Sequence, residues 1–135
     1  MPGMSDAVEL KFLELLTAKT AYTVTSPLFL ALTTVAVTES MTGLTITEAG
    51  YTGYARLSTP GTSWGAAAAG QIANSSALTF AACTAGTSTL LGFALCTTAS
   101  GAGDIQAFGT LASLVVSTTQ TPVTFAVGAL VITAD

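Results

Sequence analysis

The first rhythm of apolar and polar positions in the chain has the period of a helix. Val8, Phe12, Leu15 and Leu16 recur at helical spacing and Leu13 widens the stripe, which predicts one helix over residues 5–18. Ser5 is a favourable N-cap, Asp6 and Glu9 sit in the first turn where the helix dipole favours anions, and Lys19 closes the far end. No Gly or Pro interrupts the segment.

The period then changes. Thr and other β-branched residues dominate, and turn residues recur at short intervals, the pattern of strands. Pro27 precedes an almost continuous apolar strand at 28–32. Residues 39–50 read as a polar loop carrying one short strand at 44–46, and 53–58 as a strand. A turn at 60–63 leads into Trp64. The alanine run at 66–70 is too short for a stable helix and reads as loop. Further strands are predicted at 77–83, 90–96, 105–116, 123–127 and 130–132, with turns at Gly86 and at 100–104 and with Gly109 as a candidate bulge.

Short strands with turns roughly 8–12 residues apart predict an all-β fold. The expected fold is an antiparallel sandwich, jelly-roll or immunoglobulin-like, with a short N-terminal α-helix. One domain is expected over residues 1–135, with 1–19 as the helical segment and 20–135 as the sandwich. The expected core is Phe12, Leu15, Leu16, Leu28, Leu30, Leu32, Tyr54, Leu78, Phe80, Leu91, Phe93, Leu95, Phe108, Leu111, Phe125, Leu130 and Ile132.

Charge changes the picture. Only 7% of the residues are charged, against about 25% in ordinary soluble domains. The cations are Lys11, Lys19 and Arg56; the anions are Asp6, Glu9, Glu14, Glu39, Glu48, Asp104 and Asp135. From Leu57 to Ala134 the sole charged side chain is Asp104. A free monomer needs surface charge to stay dispersed, so much of this surface is expected to be covered by other protein. A net charge of −4 gives no basic footprint for nucleic acid and disfavours an anionic membrane surface. Mean hydropathy is +0.69, yet no apolar run approaches the ~18–20 residues of a spanning helix. The longest run, 125–132, is interrupted by Gly128. Residues 1–6 lack the basic start and apolar core of a signal peptide, so the chain is expected to be made in a cytoplasm.

Candidate chemistry is sparse. With no histidine, the usual general base and the His/Cys metal sets are absent. No cofactor, metal site or catalytic group is expected. Cys83 and Cys96 read as buried thiols rather than a disulfide. Glu39 and Glu48 flank one loop and read as solubilising charges before a cation site. Gly101-Ala102-Gly103 is a lone turn motif without a third glycine or a following helix. Asn74-Ser75-Ser76 matches a glycosylation sequon by chance. The residues singled out for interaction are Arg56, Tyr54 and Trp64. Arg56, the only arginine, reads first as a paired structural charge, with an anion site as the sharper alternative.

Several stretches together resemble a family of tailed-bacteriophage structural proteins labelled head decoration or tail fibre proteins. They are the helix at 8–13, Thr20-Ala21-Tyr22-Thr23 leading into 27–32, Gly53-Tyr54-Ala55-Arg56 with Trp64, Ile72-Ala73-Asn74, Leu78-Thr79-Phe80, 101–104 and 125–132. The resemblance spans nearly the whole chain and implies a virion structural protein. The expected function is capsid decoration: a cement protein, a homotrimer, bound to the major capsid protein on the head surface and stabilising the shell by mass action. The alternative is a tail or tail-fibre component that contacts the host receptor. A small membrane β-barrel is a third reading, weakened by the absence of aromatic girdles.

Overall fold

The computed structural model describes residues 3–134. Met1 and Pro2, part of the N-terminal stretch considered above, and the acidic Asp135 lie outside the described residues. The elements are α1 (Asp6–Leu16), β1 (Leu28–Thr33), β2 (Leu57–Thr59), β3 (Gln71–Ala73), β4 (Leu78–Thr79), β5 (Thr87–Cys96), β6 (Ile105–Ser117), β7 (Thr124–Phe125) and β8 (Val131–Thr133). All pairings are antiparallel. They build one four-stranded sheet, ordered β2-β1-β5-β6, and two short ribbons, β3-β8 and β4-β7. Among the described residues no closed sandwich, jelly roll or immunoglobulin-like pair of sheets is formed. The sheet has two open edges and is not a barrel.

The centre of this sheet is buried on both faces, which explains why its strands read as apolar runs rather than alternations. The pleat sends successive side chains to opposite faces. Leu30 stands opposite Leu95, and Leu95 opposite Ala107; Leu32 stands opposite Phe93. These residues join Tyr51, Leu78, Phe80, Val123 and Leu130 in the larger hydrophobic cluster, against which Phe125 and Ile132 of the ribbons pack. On the other face Ala31, Ala94 and Phe108 stand in register and join Val37, Ile46, Cys96 and Ile105. Leu30 and Leu32 are fully buried; truncating either to alanine would cost about 2–5 kcal/mol.

Helix α1 packs against β6 but buries only Val8. A helix of 11 residues is marginal by itself, and this one is pinned near its start. The buried Ser5 hydroxyl donates to the Ile105 carbonyl at 2.6 Å rather than capping the helix. The Asp6 N–H donates to the Glu39 carbonyl at 3.1 Å. Lys11 forms an ion pair with Asp104 and lies 5.5 Å from the Tyr22 ring centroid. The far half of α1 stays uncovered. Phe12, Leu15 and Leu16, expected in the core, are 45%, 42% and 67% exposed, and Leu10 and Leu13 are exposed as well. Periodicity marks an apolar face, but it does not say that the partner belongs to the same chain.

Other expectations shift locally. Leu91 faces outward with Thr87 and Thr89 instead of entering the core. Residues 44–46 form a turn, not a strand, in which the Thr45 and Ile46 N–H groups donate to the Thr42 carbonyl. The β5–β6 ladder is irregular at two places, between the pairs Leu90↔Leu114 and Gly92↔Thr110 and between Leu95↔Ala107 and Cys96↔Ile105, so Gly109, paired with Phe93, is not itself a bulge. A side chain at Gly92 would meet the Gly109 carbonyl and the Thr33 hydroxyl at 2.9 Å, which accounts for glycine there.

Candidate interaction sites and family membership

Arg56 precedes β2, and its side chain is almost wholly buried. Such a cation must be paired and hydrogen-bonded to be tolerated. Its Nε and one terminal nitrogen donate to the same Glu48 oxygen at 3.1 and 2.7 Å. The terminal nitrogens also donate to the carbonyls of Gly43 at 2.7 Å, Thr98 at 2.9 Å and Gly101 at 3.3 Å. One guanidinium therefore ties two points of the β1–β2 connection, Gly43 and Glu48, to the β5–β6 turn. A side chain at Gly43 would meet the Gly101 carbonyl at 2.8 Å, so only glycine lets these loops approach the cation so closely.

Tyr54 completes the node. Its hydroxyl donates to the other Glu48 oxygen at 2.7 Å and accepts from the Leu32 N–H at 3.0 Å. Its ring stacks on Phe80 at 6.3 Å and meets Tyr51 edge-on at 5.6 Å. Burial, reinforced by Glu48, holds the Tyr54 phenol far above its ordinary range. Burial works against the Arg56 charge, but the bond and charge of Glu48 outweigh it and raise its pKa. The nearby Cys96 thiol is pushed by burial up to about 11. Within the described residues the Arg56 donors are directed to groups of its own chain.

Trp64 stands apart from this node. It follows a single 3-10 turn (Gly61–Ser63), bridges to Asn74 through the backbone, and packs against the larger cluster while remaining partly accessible. It lines a small depression of about 200 Å³ with Val24, Thr25 and Thr59.

Sequence reasoning set Asn74 aside as a chance sequon, and burial supports that reading. Asn74 is 2% exposed. Its amide nitrogen donates to the Ser76 and Ala126 carbonyls at 2.8 and 2.9 Å, and its oxygen accepts from the Leu130 N–H at 2.9 Å. It joins the turn after β3 to the segment between β7 and β8. Glu48 was read as a loop charge beside Glu39; the usable signal was the lone arginine eight positions on, in an apolar stretch that could not hold it unpaired.

Two further features belong to the surface. A groove of about 460 Å³, lined mainly by Met4, Ala68, Ile72, Ala107 and Ile132, runs beside the start of β6. At its wall the Gln106 amide oxygen accepts from the Tyr22 hydroxyl, while the buried amide nitrogen has no partner within the described residues.

Among the described residues no group of three His, Cys, Asp or Glu side chains could hold a metal. Cys83 and Cys96 are free and buried. Among the described residues no helix is long and apolar enough to cross a membrane. The chain matches, over residues 3–133, the family described as podophage GP4 fiber I protein gp80, and it belongs to that family. It is thus a bacteriophage virion structural protein of a fibre family and not an enzyme. A search of the curated proteins finds no match. The family's description names a fibre and lends no support to decoration of the capsid surface.

Proposed function

We propose that the chain is a subunit of the phage tail fibre that works by packing against other protein, in an assembly that includes copies of itself and that contacts the host receptor. The observation that carries this reading is the unpartnered apolar surface. Leu10, Leu13, Leu16, Leu44 and Val127 are each more than half exposed, while Asp104 is the only charge between Leu57 and Ala134. Exposed apolar area on this scale marks an interaction surface, and fibre-family membership supports a fibre as the assembly to which it belongs.

The test is fractionation. Virions are disrupted gently, heads are separated from tails and fibres, and the chain is quantified in each fraction by mass spectrometry. Recovery with the fibres supports the proposal; recovery with the heads in simple ratio to the shell subunit restores the capsid-decoration reading and sinks this one. For host contact, isolated protein added before infection should slow adsorption of intact phage. Unchanged adsorption at saturating protein removes the receptor role and leaves the packing role standing.

A further inference from the structure

Residues 3–26 lie outside both hydrophobic clusters, whose members begin at Leu28. Within this stretch only Ser5 and Val8 are buried, and from Leu10 to Ser26 no residue is. Its start is held by the backbone. Gly3 exchanges two hydrogen bonds with Phe108, at 3.0 and 2.9 Å, and the Asp6 N–H donates to Glu39. The Ser5 hydroxyl adds its bond to Ile105. Between Ala7 and Ser26, among the described residues, two side-chain contacts bond the stretch to the rest of the chain. Lys11 pairs with Asp104, and the Tyr22 hydroxyl donates to the Gln106 amide oxygen. The packing there is incomplete: a cavity of about 280 Å³ lies between Tyr22, Val24 and Thr25 on one side and Thr97, Thr98 and Gln106 on the other.

We propose that residues 3–26 form a strap that swings off the sheet as one unit while the sheet stays folded, with the Lys11–Asp104 and Tyr22–Gln106 contacts as its latch. Segments with few buried apolar contacts open far more readily than a core, and this one lends the core almost nothing. The latch is weak. The Lys11 and Asp104 side chains are 41% and 35% exposed, and an ion pair so open to water holds little. Closure also has a cost, because the buried Gln106 amide nitrogen has no partner among the described residues; opening gives it water. The two contacts work together. Lys11 lies 5.5 Å from the Tyr22 ring centroid, and Asp104 and Gln106 are two positions apart where β6 begins. A strap that opens carries the exposed Leu10, Phe12, Leu13, Leu15 and Leu16 with it. Helix α1 can then meet neighbouring protein in an orientation the sheet does not dictate. That use rests on the packing-subunit reading; the opening itself is a property of the isolated chain.

The test is native-state hydrogen exchange of the full chain, read amide by amide by NMR. Two amides report departure of the strap: the Asp6 N–H, bonded to Glu39, and the Phe108 N–H, a group of the sheet bonded to Gly3. Both should exchange through one common opening, about 100-fold or more faster than the amides of Phe93 to Leu95 in the buried sheet. Asp104→Asn and Tyr22→Phe should each speed both amides by about two- to fivefold while Tm stays within about 2 °C of the parent. Lys19→Met removes the ion pair with Glu14 inside the strap. It should change the fraying of α1 and leave the Phe108 N–H as it was, which separates release of the strap from fraying of an exposed helix. Exchange of Asp6 and Phe108 at the pace of β5 overturns the proposal, since the strap then opens only when the whole chain unfolds. So does unequal opening of the two amides, or indifference of both to Asp104→Asn and Tyr22→Phe. Failure of the fibre assignment would leave these rates untouched and show instead in which virion fraction holds the chain.

Discussion

Replacing Arg56 by methionine tests the node that holds the loops. Methionine keeps much of the side chain's apolar bulk and adapts to irregular space, so the change removes the charge and its bonds with little loss of volume. Five acceptors lose a donor: one Glu48 oxygen, the Thr98 hydroxyl and the carbonyls of Gly43, Thr98 and Gly101. The Glu48 side chain is 24% exposed, so water relieves part of the penalty. Breaking a buried pair by removing one partner costs about 3–5 kcal/mol, a large share of the roughly 5–15 kcal/mol that keeps a domain folded. Arg56→Met should therefore lower Tm by about 10–20 °C. The double variant Glu48→Met/Arg56→Met leaves no unpaired charge and should recover about 1–2 kcal/mol relative to the sum of the single losses. Thermal melting by circular dichroism gives the numbers. Hydrogen exchange should show residues 42–46 and 98–103 losing protection together. If Arg56→Met melts within about 2 °C of the parent, or if the double variant loses the full sum, the guanidinium does not fasten these loops.

Asn74→Asp keeps size but turns two donated bonds into repulsion between oxygens, and should cost about 2–4 kcal/mol in denaturant unfolding; a loss under about 0.5 kcal/mol would deny Asn74 its bracing role. The chain should lose stability in alkali. The folded state holds the Cys96 and Tyr54 protons more tightly than the unfolded chain, so their contribution is complete below the ordinary thiol value of 9.0. The thiol's share is lost as pH rises from 9.0 to about 11, and the phenol's share is lost from 10.0 upward. Tyrosine absorbance should show Tyr54 ionising only as the protein unfolds; a normal titration of all three tyrosines would contradict its burial. Leu13→Gln and Leu16→Gln should change the isolated chain's stability by less than about 0.5 kcal/mol yet reduce its incorporation into virions, whereas core residues would melt the protein first.

The strands legible in the sequence are those whose apolar runs coincide with a sheet buried on both faces. Leu30, Leu32, Phe93 and Leu95 were placed in the core from residue type and spacing, and the ladders put them there. The weaker readings failed where local pattern carries no information about distance. Gln71–Ala73 forms a strand only because Val131–Thr133, some sixty residues later, lies beside it. Leu44 and Ile46 alternate like a strand, but the loop's own turn bonds and the draw of Arg56 on the Gly43 carbonyl set its shape. The node was half visible: a single arginine among apolar residues demands a partner, but nothing in the order of residues says that the partner is Glu48 or that three carbonyls converge on it. The helix face was read correctly as apolar and wrongly as core, because an unsatisfied face and a buried one look alike in a sequence.

The ladder between β5 and β6 is buried on both faces near Cys96 and Ile105, while at its other end, near Thr87 and Ser117, the side chains alternate between interior and solvent. Beyond that outer end, residues 118–121 are exposed and contribute nothing to either hydrophobic cluster. The protein therefore has a natural place to grow. Extra residues spliced between Thr119 and Gln120 would lengthen a surface turn at small entropic cost. The same addition between Ser100 and Gly101 would pull apart the carbonyls gathered on Arg56. Epitope tags and fluorophores for following this subunit during infection belong at the first position and not at the second.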